Sequence, residues 1–301
     1  MSKRAIALGT FDGLHRGHRR ILEAMEQTAE ELCLQRAVYT FSNHPLEAFG
    51  MAPKRLMTDG QRLDGLGEYG EVIAEKFDAK LASTSPEDFA RRMAEEYGMT
   101  AAVAGFNFTF GAKGGGNMES LREYGAKYGF EVREIPPLEY EGEPISSTRI
   151  RAAIECGDIS AANNMLGRPY SITGPVIANK GIGRRIGFPT ANVRADSGLV
   201  LPESGVYACR VWLKGACYGA ATNVGCNPTV YGETITVEPH ILNFNEGIYG
   251  EMLTVEFIEY LRGEIKFPSV EELSAQIGRD AEKTAEVLNK KGLQQDSPVV
   301  K

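Results

Sequence analysis

The residues best suited to chemistry lie close to the start of the chain. Residues 9–18 read Gly-Thr-Phe-Asp-Gly-Leu-His-Arg-Gly-His and follow the apolar run Ala5-Ile6-Ala7-Leu8. The run predicts a short strand, the glycines a turn, and Arg16 to Leu34 a helix. His15 and His18 stand three apart where that helix begins, so they share a face. The first turn of a helix offers N–H groups and a partial positive charge, which suits a phosphate. Gly9, Gly13 and Gly17 let backbone and ligand approach closely. Imidazoles placed there can stabilise charge on a nucleotide phosphate without acting as nucleophiles.

Further groups of this kind recur along the chain. Ile145-Ser146-Ser147-Thr148-Arg149-Ile150-Arg151 sets hydroxyls at a helix start with an arginine one turn on, an anion clamp or an ordinary N-cap. Residues 105–111, Gly-Phe-Asn-Phe-Thr-Phe-Gly, form an aromatic loop where a flat ring could lie, or a flexible loop. His44-Pro45 follows a strand ending at Phe41. Residues 183–192, Gly-Arg-Arg-Ile-Gly-Phe-Pro-Thr-Ala-Asn, are glycine-rich but lack the Gly-Lys-Ser/Thr of a Walker loop. Thr190 and Asn192 project to the same side of an extended segment, and their oxygens suit Mg²⁺ in a triphosphate complex. Glu238, among the alternating residues 234–242, is either a buried, hydrogen-bonded carboxylate or a general base.

The elements that must position these groups fall into two patterns. Strands are expected at Arg4–Leu8, Ala37–Phe41, Val72–Glu75, Ala101–Ala104 and Phe130–Ile135, alternating with helices near 16–34, 60–68, 86–97 and 118–128. Such alternation predicts a parallel sheet covered by helices, with ligand at the carboxyl ends of the strands. Gly9 and Asn107 both follow strands on that edge. Two short helices are expected at 147–156 and 158–166. Short strand-like runs then follow at Ile172–Ile177, Gly205–Leu213, Tyr218–Asn223, Thr234–Asn243 and Met252–Tyr260, an antiparallel barrel or sandwich. A last helix fits Val270–Asn289, with Leu273, Ile277, Ala281, Ala285 and Leu288 as its stripe.

Composition narrows the class. The 301 residues suffice for two domains with full cores. A net charge of −7 without a basic block points away from a nucleic-acid surface. No leader is expected at the start, and no apolar run approaches the roughly 20 residues of a membrane span. Five cysteines (33, 156, 209, 217, 226) without a CxxC pair read as reduced cytoplasmic thiols. Self-association is left open.

The strand followed by His-Arg-Gly-His is similar to the HxGH signature of the nucleotidyltransferase superfamily, whose members move a nucleoside monophosphate from a triphosphate and release pyrophosphate. Together with Ile145–Arg151, Leu166-Gly167-Arg168-Pro169-Tyr170, Gly187-Phe188-Pro189-Thr190-Ala191-Asn192, the Glu238 strand and residues 261–267, Leu-Arg-Gly-Glu-Ile-Lys-Phe, the chain resembles the prokaryotic bifunctional riboflavin kinase/FMN adenylyltransferase family over about residues 4–290. The resemblance implies a Rossmann-like adenylyltransferase domain over 1–166, a six-stranded β-barrel kinase domain with a C-terminal helix over 167–290, and a flexible tail over 291–301. Riboflavin, FMN and ATP would be the substrates, with Mg²⁺ accompanying ATP.

The resemblance also implies residue roles. His15 and His18 would stabilise the ATP α-phosphate, and Ser147 and Arg151 would hold the leaving pyrophosphate. Gly9, Phe11, Gly17, His44, Asn107 and Thr148 would contact nucleotide or flavin. In the second domain Gly183 and Gly187 would line the phosphate loop, Thr190 and Asn192 would hold Mg²⁺, Glu238 would act as base, and Arg262 would hold the flavin. Four residues depart from the family pattern: Asn43 where proline is usual, Asn179 where glycine is, Ile182 where arginine is, and Pro239 where threonine is. Asn179 and Ile182 fall on the phosphate loop, so they bear on kinase efficiency more than on kinase identity. Two other readings are an adenylyltransferase with a weakened flavin-binding second domain, and a non-catalytic flavin sensor.

Overall fold

β1 (Arg4–Leu8) lies at the centre of the first unit because its residues are apolar on both faces. Ala5 and Ala7 face one core with Leu22, Met25 and Ala29 of α1 (Arg16–Glu31), while Ile6 and Leu8 face another with Phe89 and Met93 of α4 (Pro86–Glu95) and Leu121 of α5 (Met118–Tyr128). Two buried faces are what a parallel strand covered by helices requires. The computed structural model describes residues 2–178, 187–229 and 232–293. The chain divides into two compact units, Met1–Ser147 and Thr148–Lys301.

The first unit holds a parallel sheet in the order β3-β2-β1-β4-β5, with β2 (Gln35–Phe41), β3 (Glu71–Glu75), β4 (Met99–Gly105) and β5 (Glu131–Ile135). Strand order reverses between β1 and β4, so the turns after these two neighbours flank the crevice where such sheets bind ligand. α2 (Asp59–Gly67) opens with a capping box between Thr58 and Gln61. α3 (Ala79–Ala82), a 3₁₀ turn at Pro45–Phe49 and the small pair β6 (Glu139–Tyr140) and β7 (Glu143–Pro144) complete it. α1 ends at Glu31 rather than Leu34, because the chain turns left-handed at Cys33 (φ 53°).

The second unit opens with the rest of α6 (Ser147–Glu155) and with α7 (Ile159–Leu166). Of barrel and sandwich, the structure takes the barrel. β8 (Tyr170–Ile177), β9 (Asn192–Val193), β10 (Gly205–Leu213), β11 (Ala216–Thr229), β12 (Gly232–Ile241) and β13 (Met252–Arg262) close in the order β10-β11-β12-β9-β8-β13. Asn163 of α7 clips this helix to the barrel: its side chain donates to the Phe257 carbonyl at 2.8 Å and accepts from Tyr170 N at 2.7 Å.

α8 (Val270–Lys290) follows. Its buried face carries Asp280, Thr284, Val287 and Leu288, so the inward stripe is offset from the expected Ala281 and Ala285, which are half-buried. The cause is an ion pair that draws Asp280 inward to Arg262. The start of the expected tail is tied down: Leu293 N donates to the Leu288 carbonyl at 3.0 Å, and Leu293 packs beside Leu288.

Candidate active sites

In the first unit the turn after β1 is built around one ring. Phe11 is fully buried and adopts φ 56°, a left-handed conformation that costs a residue with a side chain about 1–3 kcal/mol. A Cβ at Gly9 would stand 2.9 Å from the Phe11 ring, so only glycine lets that ring close over the strand end. His15 caps α1, its Nδ1 accepting from His18 N at 3.2 Å. That bond leaves Nδ1 without a proton and places the proton on Nε2. His18 stacks on His15 with centroids 3.5 Å apart and meets Phe11 edge-on at 5.4 Å. A Cβ at Gly17 would stand 3.2 Å from the His15 ring, so this glycine preserves the stack.

Both imidazoles are neutral. Burial, reinforced by Arg19, lowers His15 to about 4, and burial, reinforced by the repulsion a protonated His15 would exert, holds His18 well below 6.5. His18 Nδ1 is buried without a hydrogen-bond partner among the described residues. Ser147 Oγ donates to the Asp12 carbonyl at 2.9 Å, which brings the residue 147 hydroxyl to the same turn. The Asp12 carboxylate accepts from Leu56 N at 3.0 Å, tying the turn to the segment before α2.

A shallow cleft opens beside this turn, lined in part by Thr10, Asp12, Asn43, His44, Arg55 and Arg62. His44 caps the 3₁₀ turn through Nδ1, which again leaves the proton on Nε2. Arg62 is buried, and its guanidinium donates to the Thr10 and Phe41 carbonyls at 3.2 and 2.7 Å, so it ties together the ends of β1 and β2. Sequence reasoning missed Arg62; its only signal was a cation on the inner side of a capped helix. Asn43, a departure from the family pattern, donates to the Phe77 carbonyl at 3.1 Å and accepts from Phe77 N at 2.8 Å. This double contact fixes the loop by specific hydrogen bonds, where proline would fix it through φ alone.

Asn107 lies exposed beyond β4. The aromatic loop is less open than expected. Phe108 and Phe110 stack at 5.6 Å and pack on the sheet core, which leaves Phe106 as the exposed ring.

In the second unit Thr148 is exposed on α6, and its Oγ1 accepts from Arg151 Nη2 at 3.2 Å. Asn192 and Glu238, 46 positions apart, meet: Asn192 Nδ2 donates to Glu238 Oε1 at 3.1 Å. The pairing Val237↔Val193 across β12 and β9 makes this contact. Thr190 is exposed, and Gly187 has φ 85°. Gly183, Asn179 and Ile182 lie outside the described residues. The Arg262 guanidinium forms a bidentate pair with buried Asp280, at 3.0 Å from Nε and 2.6 Å from Nη2, and Gln276 completes that carboxylate at 2.8 Å. Asp280, too, was not legible as a site residue, because a lone carboxylate on a helix usually faces water.

A parallel α/β unit with paired imidazoles at a helix start, followed by a closed barrel bearing an amide–carboxylate pair, defines a two-module nucleotide-dependent transferase. Family models agree on both halves: one described as FAD synthetase matches residues 1–149, and one described as riboflavin kinase matches residues 166–288. A bifunctional riboflavin kinase/FMN adenylyltransferase of Haemophilus influenzae is 38% identical, covering 95% of this chain and 94% of its own. One from Bacillus subtilis is 37% identical, covering 93% and 90%. The chain belongs to the bifunctional riboflavin kinase/FMN adenylyltransferase family. A crystal structure of a protein described as a macrolide-efflux protein from Streptococcus pneumoniae aligns with a TM-score of 0.87 at 32% identity, covering 95% of each chain. That description belongs to the other protein; among the described residues here no helix is long and apolar enough to cross a membrane.

Proposed function

We propose that the barrel of this chain phosphorylates riboflavin at its 5′-hydroxyl with ATP, and that the α/β unit then joins the resulting FMN to AMP from a second ATP, giving FAD and pyrophosphate. The functional domains are taken as 1–166 and 167–290. The observation that carries the reading is the Asn192–Glu238 hydrogen bond, which sets an amide and a carboxylate side by side, the amide two positions after Thr190 in the chain.

In the kinase step Glu238 accepts the proton of the 5′-hydroxyl as its oxygen attacks the γ-phosphorus and ADP leaves. Thr190 and Asn192 fit Mg²⁺: both offer hard oxygens, and Asn192 uses its nitrogen toward Glu238, which reserves Oδ1 for a cation. The ion supplies neutralisation of phosphate charge. Gly183 and Gly187 belong to the phosphate loop. Arg262, held flat by Asp280, fits a planar flavin edge.

In the adenylyl step the FMN phosphate attacks the α-phosphorus and pyrophosphate leaves, so no covalent enzyme intermediate is needed. His15 and His18 stabilise the charge on the α-phosphate, His15 through its Nε2–H. Gly9, Phe11 and Gly17 shape the turn, Ser147 and Arg151 hold the leaving pyrophosphate, and His44, Asn107 and Thr148 contact flavin or nucleotide. Thiols at Cys33, Cys156 and Cys209 support a cytoplasmic location.

The test is incubation of the full chain with riboflavin, ATP and Mg²⁺, with the flavins separated over time. FMN is expected first and FAD after it. FAD made from supplied FMN, with no FMN made from riboflavin, would leave the adenylyltransferase reading alone. Neither product would leave the flavin-binding sensor.

A further inference from the structure

We propose that His240 is a positioning residue for the kinase, holding the Gly187–Asn192 segment so that Thr190 presents its hydroxyl correctly. The proposal rests on the kinase reading of Thr190, Asn192 and Glu238.

The ladder between β12 and β9 is broken early. Val237 pairs with Val193 antiparallel, which sets Ala191 opposite Pro239 and Pro189 opposite Ile241. Ala191 N donates to the Pro239 carbonyl at 2.9 Å. Pro239 has no N–H to return the bond and Pro189 has none to give Ile241, so the ladder loses two bonds in succession and β9 stops at two residues. In a regular ladder the next carbonyl, that of Pro189, would accept from Ile241 N. Here the His240 imidazole takes its place, with Nδ1 2.9 Å from the Pro189 oxygen.

A carbonyl only accepts, so Nδ1 carries the proton, the opposite tautomer to those of His15 and His44. The two bonds bracket Thr190. His240 fixes the peptide before it through the Pro189 carbonyl, and Pro239 fixes the peptide after it through Ala191 N. His240 and Glu238 stand two apart on β12, on the face opposite the core-facing Val237 and Ile241. That face therefore holds the segment twice, at Pro189 through His240 and at Asn192 through Glu238. The Phe188 ring stands edge-on to His240 at 5.3 Å, with Gly278 of α8 beside its tip.

The experiment compares His240→Ala, His240→Asn and His240→Gln in the full chain. Asparagine places an N–H near the Nδ1 position, glutamine near the Nε2 position. The kinase KM for Mg·ATP is expected to rise roughly tenfold or more in H240A and H240Q, the order of one lost hydrogen bond, and to return to within about threefold of the parent in H240N. The riboflavin KM and the rate of FAD formation from supplied FMN should stay near parental values. Equal defects in H240N and H240A, or a riboflavin KM that rises as much as that of ATP, would overturn the proposal; the N/Q contrast keeps it testable if H240A does not fold. Failure of the parent chain to make FMN would instead overturn the kinase reading, and the proposal with it.

Discussion

His15 and His18 lie face to face, ring centroids 3.5 Å apart and planes 17° from parallel, at the N-terminus of α1. Two charged imidazoles at that spacing would repel strongly, and both are desolvated. The free protein therefore keeps both neutral, and a bound triphosphate would meet two uncharged rings at the positive end of a helix.

Stability should fall in mild acid for this reason. The folded His15 titrates at about 4 against 6.5 unfolded, so between these values the unfolded chain binds the extra proton. The contribution is present above pH 6.5 and is lost as pH falls toward 4, by about 3 kcal/mol for His15. His15→Asn keeps a capping acceptor for His18 N but does not titrate. Denaturant melts from pH 7 to 4 should show a shallower loss for H15N than for the parent; parallel curves would refute the account.

His18→Ala should cut FAD formation from FMN and ATP by about 10²-fold or more, the scale of charge stabilisation lost beside a transferring group. FMN formation from riboflavin should barely change, because the barrel site uses other residues. Steady-state rates for each half-reaction, with Tm alongside, decide. An equal drop in both activities at normal Tm counts against the assignment.

Glu238→Gln retains an Oε1 that can accept from Asn192, so the local geometry should survive. Basicity does not survive, and kinase turnover should fall by roughly 10²–10⁴-fold. FAD formation from supplied FMN should persist. A purely structural carboxylate would instead give a lower Tm with turnover per folded molecule near normal.

The two modules should be separable, but the cut matters. A fragment beginning at Gly167 loses Asn163 and its two hydrogen bonds to Phe257 and Tyr170. A fragment beginning at Thr148 keeps them. The longer piece should melt higher, by about 1–3 kcal/mol in stability, and should make FMN but no FAD. Matching melts for the two fragments would show that α7 adds nothing to the barrel.

Short-range features were legible in the chain itself. The β1 strand, the glycine turn and the start of α1 lie within 15 residues of one another, and each is set by local sterics and capping: Gly9 for the Phe11 ring, His15 for the helix N-terminus. The alternation of strands and helices likewise follows from periodicity in short windows. What depends on partners far along the chain was not legible in local patterns, which left barrel and sandwich open until the family resemblance pointed to a barrel. Barrel closure rests on β10 pairing with β13, and the shortness of β9 on Pro239 facing Ala191 from another strand. Phe108 and Phe110 look like an open aromatic loop until α4 and α5 supply the core that buries them. Asp280 faces inward only because Arg262, 18 positions away, neutralises it. Residue types proclaim which groups can do chemistry; which of them meet is decided by loop closure and pairing registers, whose energies come from contacts that a local pattern does not contain.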